Sequence, residues 1–247
     1  MKVESQDFLS PDGTWVMTST RRLPFDERGI QFTDYAYDHV KVYNAQTQVE
    51  WVPIERWSHY GLGFGIYVPL LWTPDARFLY MTYKPVPAGC AVFVNGSDLW
   101  RLDLYTGSFI PIVAEVGLWL SLSPDQTSLA YIGYGDRGLV IQDLGTGHEQ
   151  EVKLDPGKEY DAGHIVWSPD GRALILTLAF ETCGTKPIGS TSVLRIDLAA
   201  LEHKTLIHED ERAFTSLEWW TPDQVLLTDH AGKPWWLDPN TGKLTAP

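Results

Sequence analysis

The sequence predicts an all-β fold, a β-propeller of five blades with four antiparallel strands each, and three observations carry that expectation. A Pro-Asp turn signal set between apolar runs occurs five times: Leu9-Ser10-Pro11-Asp12-Gly13, Trp72-Thr73-Pro74-Asp75, Leu122-Ser123-Pro124-Asp125, Trp167-Ser168-Pro169-Asp170-Gly171 and Trp220-Thr221-Pro222-Asp223. The marker prolines lie 63, 50, 45 and 53 residues apart, close to the roughly 40–50 residues of a four-stranded blade once loop insertions are allowed. No long window keeps its apolar residues at the helical period, and turn formers come too often for helices.

The third repeat is the tidiest. Gly117–Ser123 is apolar (strand A), Ser128–Tyr134 is apolar again (B), Gly138–Asp143 alternates (C) and Glu149–Leu154 closes the unit (D). Ser-Pro-Asp fixes φ at the A–B turn and supplies a carboxylate for backbone N–H groups, while Gly145-Thr146-Gly147 supplies the positive-φ residue of the C–D hairpin. The same punctuation sets the other units, giving blades over residues 1–53, 66–113, 116–154, 163–207 and 214–247 of a single domain. A second marker, Asp-Leu-x-Thr-Gly, stands at Asp103–Gly107 and Asp143–Gly147. It is loosened at Asp238-Pro239-Asn240-Thr241-Gly242 and degraded at Asp197-Leu198-Ala199-Ala200, and in the first unit only Val42–Thr47 stands in its place.

Paired Ser-Pro-Asp-Gly and Asp-Leu-x-Thr-Gly signals resemble the Pro-Asp variety of WD-like repeat found in TolB-like propellers, and the likeness covers nearly the whole chain. The resemblance implies the fold. It leaves function open among partner binding, peptidase gating and carbohydrate chemistry, because such propellers host all three. The aspartate box of sialidase-type propellers is a poorer match, since it needs extra residues between Asp12, Gly13 and Thr14.

Composition narrows the partner. The 247 residues carry a net charge of −13, which disfavours nucleic acid, whose phosphates are bound by clustered Lys and Arg that displace counterions. Two cysteines, Cys90 and Cys183, are too few for a disulfide framework and lack zinc-site spacing; a bridge between them would favour an oxidising compartment. No apolar run approaches the roughly 20 residues of a membrane span. The expectation is a periplasmic or secreted protein whose exporting segment has been removed, ahead of a cytoplasmic one.

Blade topology puts the A–B and C–D turns at one end, and the B–C and D–A connections at the other. At that second end the stretches 20–37, 54–67, 84–98 and 179–192 are long and unlike one another, as binding loops on a rigid scaffold are. They offer Arg21, Arg22, Arg28, Arg56, Trp57, His59, Tyr60 and Phe64, the arginine and aromatic mixture of interface anchors. A non-enzymatic scaffold binding a protein partner or ligand through this face is the preferred reading. No Gly-x-Ser-x-Gly or His-Glu-x-x-His motif is present, and no motif calls for a cofactor or a bound metal.

The alternative is a carbohydrate-active propeller, a lectin or glycoside hydrolase. Four residues before the marker prolines stand Asp7, Leu70, Leu120, Ile165 and Glu218. In a closed ring Asp7 and Glu218 would be neighbours at the axis, where a carboxylate pair could serve glycoside hydrolysis or hold a divalent cation. The five marker aspartates are expected to be turn caps, the A-strand tryptophans Trp72, Trp167, Trp219 and Trp220 packing residues, and Trp57 or Trp235 a possible sugar platform. His164 is expected to be a core histidine.

Overall fold

The computed structural model describes residues 2–26, 28–31, 33, 35–59, 65–85, 93, 95–113, 119–133, 138–182 and 188–246. Among them there is no helix. Twenty strands form five antiparallel sheets of four, each a simple meander in chain order. The first sheet holds β1 (Lys2–Leu9), β2 (Trp15–Leu23), β3 (Tyr35–Asn44) and β4 (Glu50–His59). The second holds β5 (Gly65–Trp72), β6 (Phe78–Pro85), β7 (Leu99–Asp103) and β8 (Phe109–Val113). The third has β9 (Leu120–Leu122), β10 (Ser128–Ile132), β11 (Leu139–Asp143) and β12 (Glu149–Val152). The fourth has β13 (Asp161–Trp167), β14 (Ala173–Phe180), β15 (Ser190–Asp197) and β16 (Glu202–Asp210), and the fifth β17 (Phe214–Thr221), β18 (Gln224–Asp229), β19 (Pro234–Leu237) and β20 (Leu244–Thr245). These are the five blades.

The chain divides into two compact units, Met1–Ala88 with Gly96–Glu115, and Gly89–Asn95 with Val116–Pro247. In the first unit the facing sides of blades 1 and 2 bury Met17, Val40, Val42, Tyr67, Leu79 and Leu102. In the second, blades 3 and 4 close over Leu139, Leu174, Leu176 and Ile196, and blades 4 and 5 over Ile175, Val193, Phe214 and Leu227. All eight side chains of β14 are buried, so this strand reads as a continuous apolar run, whereas none of those of β1 is. Indole N–H groups stitch neighbouring blades: Trp51 Nε1 donates to the Leu104 carbonyl at 3.0 Å in the first unit, and Trp167 Nε1 to that of Ser121 at 3.0 Å in the second.

In blades 1 to 4 the Pro-Asp marker builds the turn its chemistry suggests. Asp12 accepts from Ser10 Oγ at 2.5 Å and from the Thr14 N–H and hydroxyl at 3.0 and 2.8 Å. Asp125 and Asp170 repeat the pattern, and these bonds hold all three carboxyls below the usual range. At the C–D turn the degraded marker is intact in function. Asn44 Oδ1 accepts the N–H groups of Gln46 and Thr47, and Asp197 Oδ1 those of Ala199 and Ala200, the bonds Asp103 and Asp143 make in the clear copies. Gln48 and Leu201 adopt φ of +62° and +54° where Gly107 and Gly147 stand in the clear copies.

Cys90 and Cys183 lie outside the described residues. No helix of the described residues is long and apolar enough to cross a membrane.

Candidate functional site

Strands, not loops, carry most of the residues at the B–C and D–A end of blade 1. β2 runs on to Leu23, β3 begins at Tyr35 and β4 extends to His59, so Arg21, Arg22, Arg56 and Trp57 are strand residues. Alternation along each strand then sends neighbours to opposite faces of the sheet, and of these four only Arg21 is buried.

Arg21 is on the buried side, its side chain 4% exposed. It is not a surface anchor. Its Nη1 donates to the Gly65 carbonyl at 2.7 Å and to Tyr83 Oη at 2.9 Å. Its Nε lies 3.2 Å from Asp38 Oδ1 but lacks hydrogen-bond alignment there, so charge rather than a bidentate fork holds the pair. Ser58 Oγ donates to Asp38 Oδ2 at 2.7 Å. Arg56 reaches over the Tyr67 ring, 5.6 Å from its centroid, and donates to its hydroxyl. Burial pushes the Tyr67 phenol up to about 12. This network ties β2, β3 and β4 to β5 and β6.

The opposite face of blade 1 carries the exposed Arg22 and Trp57. Cross-strand pairing aligns Val3, Arg22, Tyr37 and Trp57 in one row over all four strands. The Arg22 guanidinium stands 5.4 Å from the Tyr37 ring centroid, and the Tyr37 and Trp57 rings are 5.2 Å apart at 55°. His39 stacks on Tyr37 from the next pair along, and Tyr37 Oη donates to Glu55 Oε1 at 2.5 Å, which raises the phenol pKa. Trp57 is 59% exposed. Arg28 is exposed and held in a fork on Asp26 through Nε and Nη2 at 3.0 and 2.8 Å. The side chain of His59, and Tyr60 and Phe64, lie outside the described residues.

Asp7 on β1 and Glu218 on β17 are both exposed first-strand residues, each in its own unit. Asp7 lines a cleft of about 530 Å³ with Phe8 and Leu9 of β1, Pro11, and Pro69–Trp72 of β5. One carboxylate in an otherwise apolar cleft does not make an acid/base pair. Among the described residues no cluster of three His, Cys, Asp or Glu could hold a metal ion. Trp235 is committed elsewhere: its Nε1–H donates to Asp229 Oδ2 at 2.9 Å, and Arg212 and Lys233 lie 4.4 Å from its ring.

The described residues of the 84–98 stretch are structural in part. Phe93 is 2% exposed and packs with Ala179, Ile188 and Ala213. Its N–H donates to Asp161 Oδ2 at 3.0 Å. Asn95 pairs with Leu120 as a peptide group would, accepting its N–H and donating to its carbonyl, both at 2.7 Å. Only the tertiary fold could show this, because nothing local in the sequence marks Phe93 for burial.

His164 sits at a bulge in β13 with φ of +49°, against the rings of Phe93 and Trp119 at 4.8 and 4.4 Å. Burial pushes its imidazole down to about 4. Because the folded pKa lies below that of the unfolded chain, the unfolded state takes up a proton first. Stability is full above about pH 6.5 and falls as pH drops towards 4, by about 3 kcal/mol. Urea midpoints between pH 7 and 4.5 should therefore fall in the wild type and fall less in His164→Asn, which tolerates the left-handed backbone. Equal slopes would show that His164 is not the group responsible.

No protein-family model matches the sequence, and no curated protein matches it. Solved structures do. A protein of Bacteroides ovatus described as a dipeptidyl aminopeptidase IV aligns at TM-score 0.60 and 12% identity over 97% of this chain and 39% of its own. The dipeptidyl peptidase 4 of Porphyromonas gingivalis aligns at 0.55 and 11% over 98% of this chain and 39% of its own. TolB of Acinetobacter baumannii aligns at 17% identity over 98% of this chain and 67% of its own, with a TM-score of 0.48, too low to bear on the fold. The chain thus spans about 39% of the length of the two peptidase chains. Identities this low show the fold alone, and with the five four-stranded sheets they make this chain an all-β protein of five propeller blades.

Proposed function

We propose that the protein is a non-enzymatic propeller scaffold that binds a protein partner through the face of blade 1 that carries Arg22 and Trp57, at its B–C and D–A end. The observation that carries this reading is the row of Arg22, Tyr37 and Trp57, aligned by strand register and led by a tryptophan 59% exposed. Trp, Tyr and Arg are the residue types that dominate interface energetics. Here they are held on a sheet, so little conformational freedom is lost when a partner covers them. Arg28, on the B–C connection of the same blade, extends the basic rim. The repeats themselves fit the TolB-like Pro-Asp type, a scaffold reused for many partners.

Affinity purification with tagged wild-type protein, Trp57→Ala and Arg22→Ala tests the reading. A partner bound through this face should be weakened about 30-fold or more by Trp57→Ala, with the urea midpoint little changed because the ring is exposed. Partners retained equally by both variants would overturn it.

A further inference from the structure

The fifth Pro-Asp marker does not build the turn that the other copies build. In blades 1 to 4 the marker Ser or Thr N–H bonds the carbonyl five residues on, as Ser10 does with Trp15 and Ser123 with Ser128. That loop brings hydroxyl and N–H donors to the aspartate. In blade 5 Thr221 pairs directly with Gln224, leaving only Pro222 and Asp223 between the strands. Among the described residues Asp223 accepts no hydrogen bond. It is the one marker aspartate released from its turn.

The same shortening changes the tryptophans. A register shift between Trp219 and Thr221 puts Trp219 against the blade 4–5 core, and Trp220, the partner in sequence of Trp72 and Trp167, turns out to solvent at 58% exposure. Trp72 and Trp167 are each 8% exposed. The Trp220 ring meets Trp236 edge-on, 6.0 Å between centroids at 71°. Beside the pair is a cleft of about 430 Å³ whose lining includes Asp223, Gln224, Trp236, Lys243 and Thr245. The Asp223 carboxylate and the Gln224 amide are free of hydrogen bonds among the described residues.

We propose that this cleft, lined by Trp236, and the adjoining Trp220 bind a neutral oligosaccharide. Indole rings offer the flat apolar surface that matches the C–H face of a pyranose while their edges stay wet. Asp223 can accept from ring hydroxyls, the Gln224 amide and Thr245 hydroxyl can both give and accept, and Lys243 can donate. The volume is that of a small-ligand pocket. Charge selects against the obvious competitors. Asp223 and Asp238 outnumber Lys243 in the lining, which opposes phosphates and uronates, and the Lys243 ammonium in an open cleft opposes the methylated cations that closed aromatic cages take. The site belongs to the second unit and the partner surface to the first, and no catalytic step is assigned to it.

Calorimetry and tryptophan fluorescence of the whole chain titrated with cellohexaose, maltohexaose, xylohexaose and mannohexaose test the proposal. At least one hexaose should bind saturably with a dissociation constant of about 1 mM or tighter. Its affinity should fall at least about tenfold in Trp220→Ala and in the near-isosteric Asp223→Asn, and stay unchanged in Trp57→Ala. Asp223→Asn should keep the wild-type urea midpoint, since the carboxylate supports no turn. The proposal is overturned if none of the four hexaoses binds at about 10 mM, if binding survives both blade 5 substitutions, or if tetramethylammonium gives the same signal with the same losses.

Discussion

Replacing Arg21 by methionine is expected to destabilise the first unit by about 3–5 kcal/mol. The guanidinium and the Asp38 carboxylate share an interior site where each side chain is 4% exposed. Removing the cation leaves a buried carboxylate whose remaining side-chain partner is Ser58, and leaves the Gly65 carbonyl and Tyr83 hydroxyl without the donor that served both. Lysine should not rescue the loss, because one ammonium on a flexible stem cannot take the place of a planar donor set. The double variant Arg21→Met with Asp38→Leu should recover most of it, since a buried pair is often no better than apolar side chains of similar volume. Urea unfolding with an unchanged slope reads the difference. A loss below about 1 kcal/mol would mean that water reaches the pair, as at surface ion pairs.

The second large effect is expected at Phe93, where alanine should cost about 3–5 kcal/mol through the cavity it leaves. Gly163 is the other half of that contact. A methyl group there would fall 2.1 Å from Phe93 Cβ, so Gly163→Ala should displace the ring and destabilise the second unit as well. In the double variant the ring contacts at 2.6 and 3.1 Å are gone but the 2.1 Å contact with Cβ, which alanine keeps, remains, so it should be less stable than Phe93→Ala alone. A double variant as stable as Phe93→Ala alone would show that Gly163 does not share this packing site.

The repeat was legible because a blade is a local object. Pro-Asp and Asp-Leu-x-Thr-Gly are turns whose carboxylates bond N–H groups two and three residues away, so the sequence alone determines where the chain turns at the A–B and C–D end of a sheet, and not how far the strands run at the other end. Even the degraded copies at Asn44 and Asp197 obey, since one side-chain oxygen suffices. Position along a strand and choice of face are less local. Arg21 and Arg22 are adjacent in sequence, yet one is locked on Asp38 inside and the other lies over Tyr37 outside. Only the extent of β2 and its register with β3 separates them. Trp220 matches Trp72 and Trp167 by its marker, and a register shift at the end of β17 reverses its side. Phe93 follows no repeat at all; what buries it is a set of side chains distant from it in sequence.

The sequence by itself therefore determined the all-β class, the five repeats and the turn chemistry, because each depends on residues within a few positions of one another. Tertiary structure alone decided which arginine is buried, which tryptophan is bare and which marker aspartate is free of its turn. Those outcomes depend on which sheet covers which face, and on register shifts that move a side chain from one face to the other without leaving a mark in the motif.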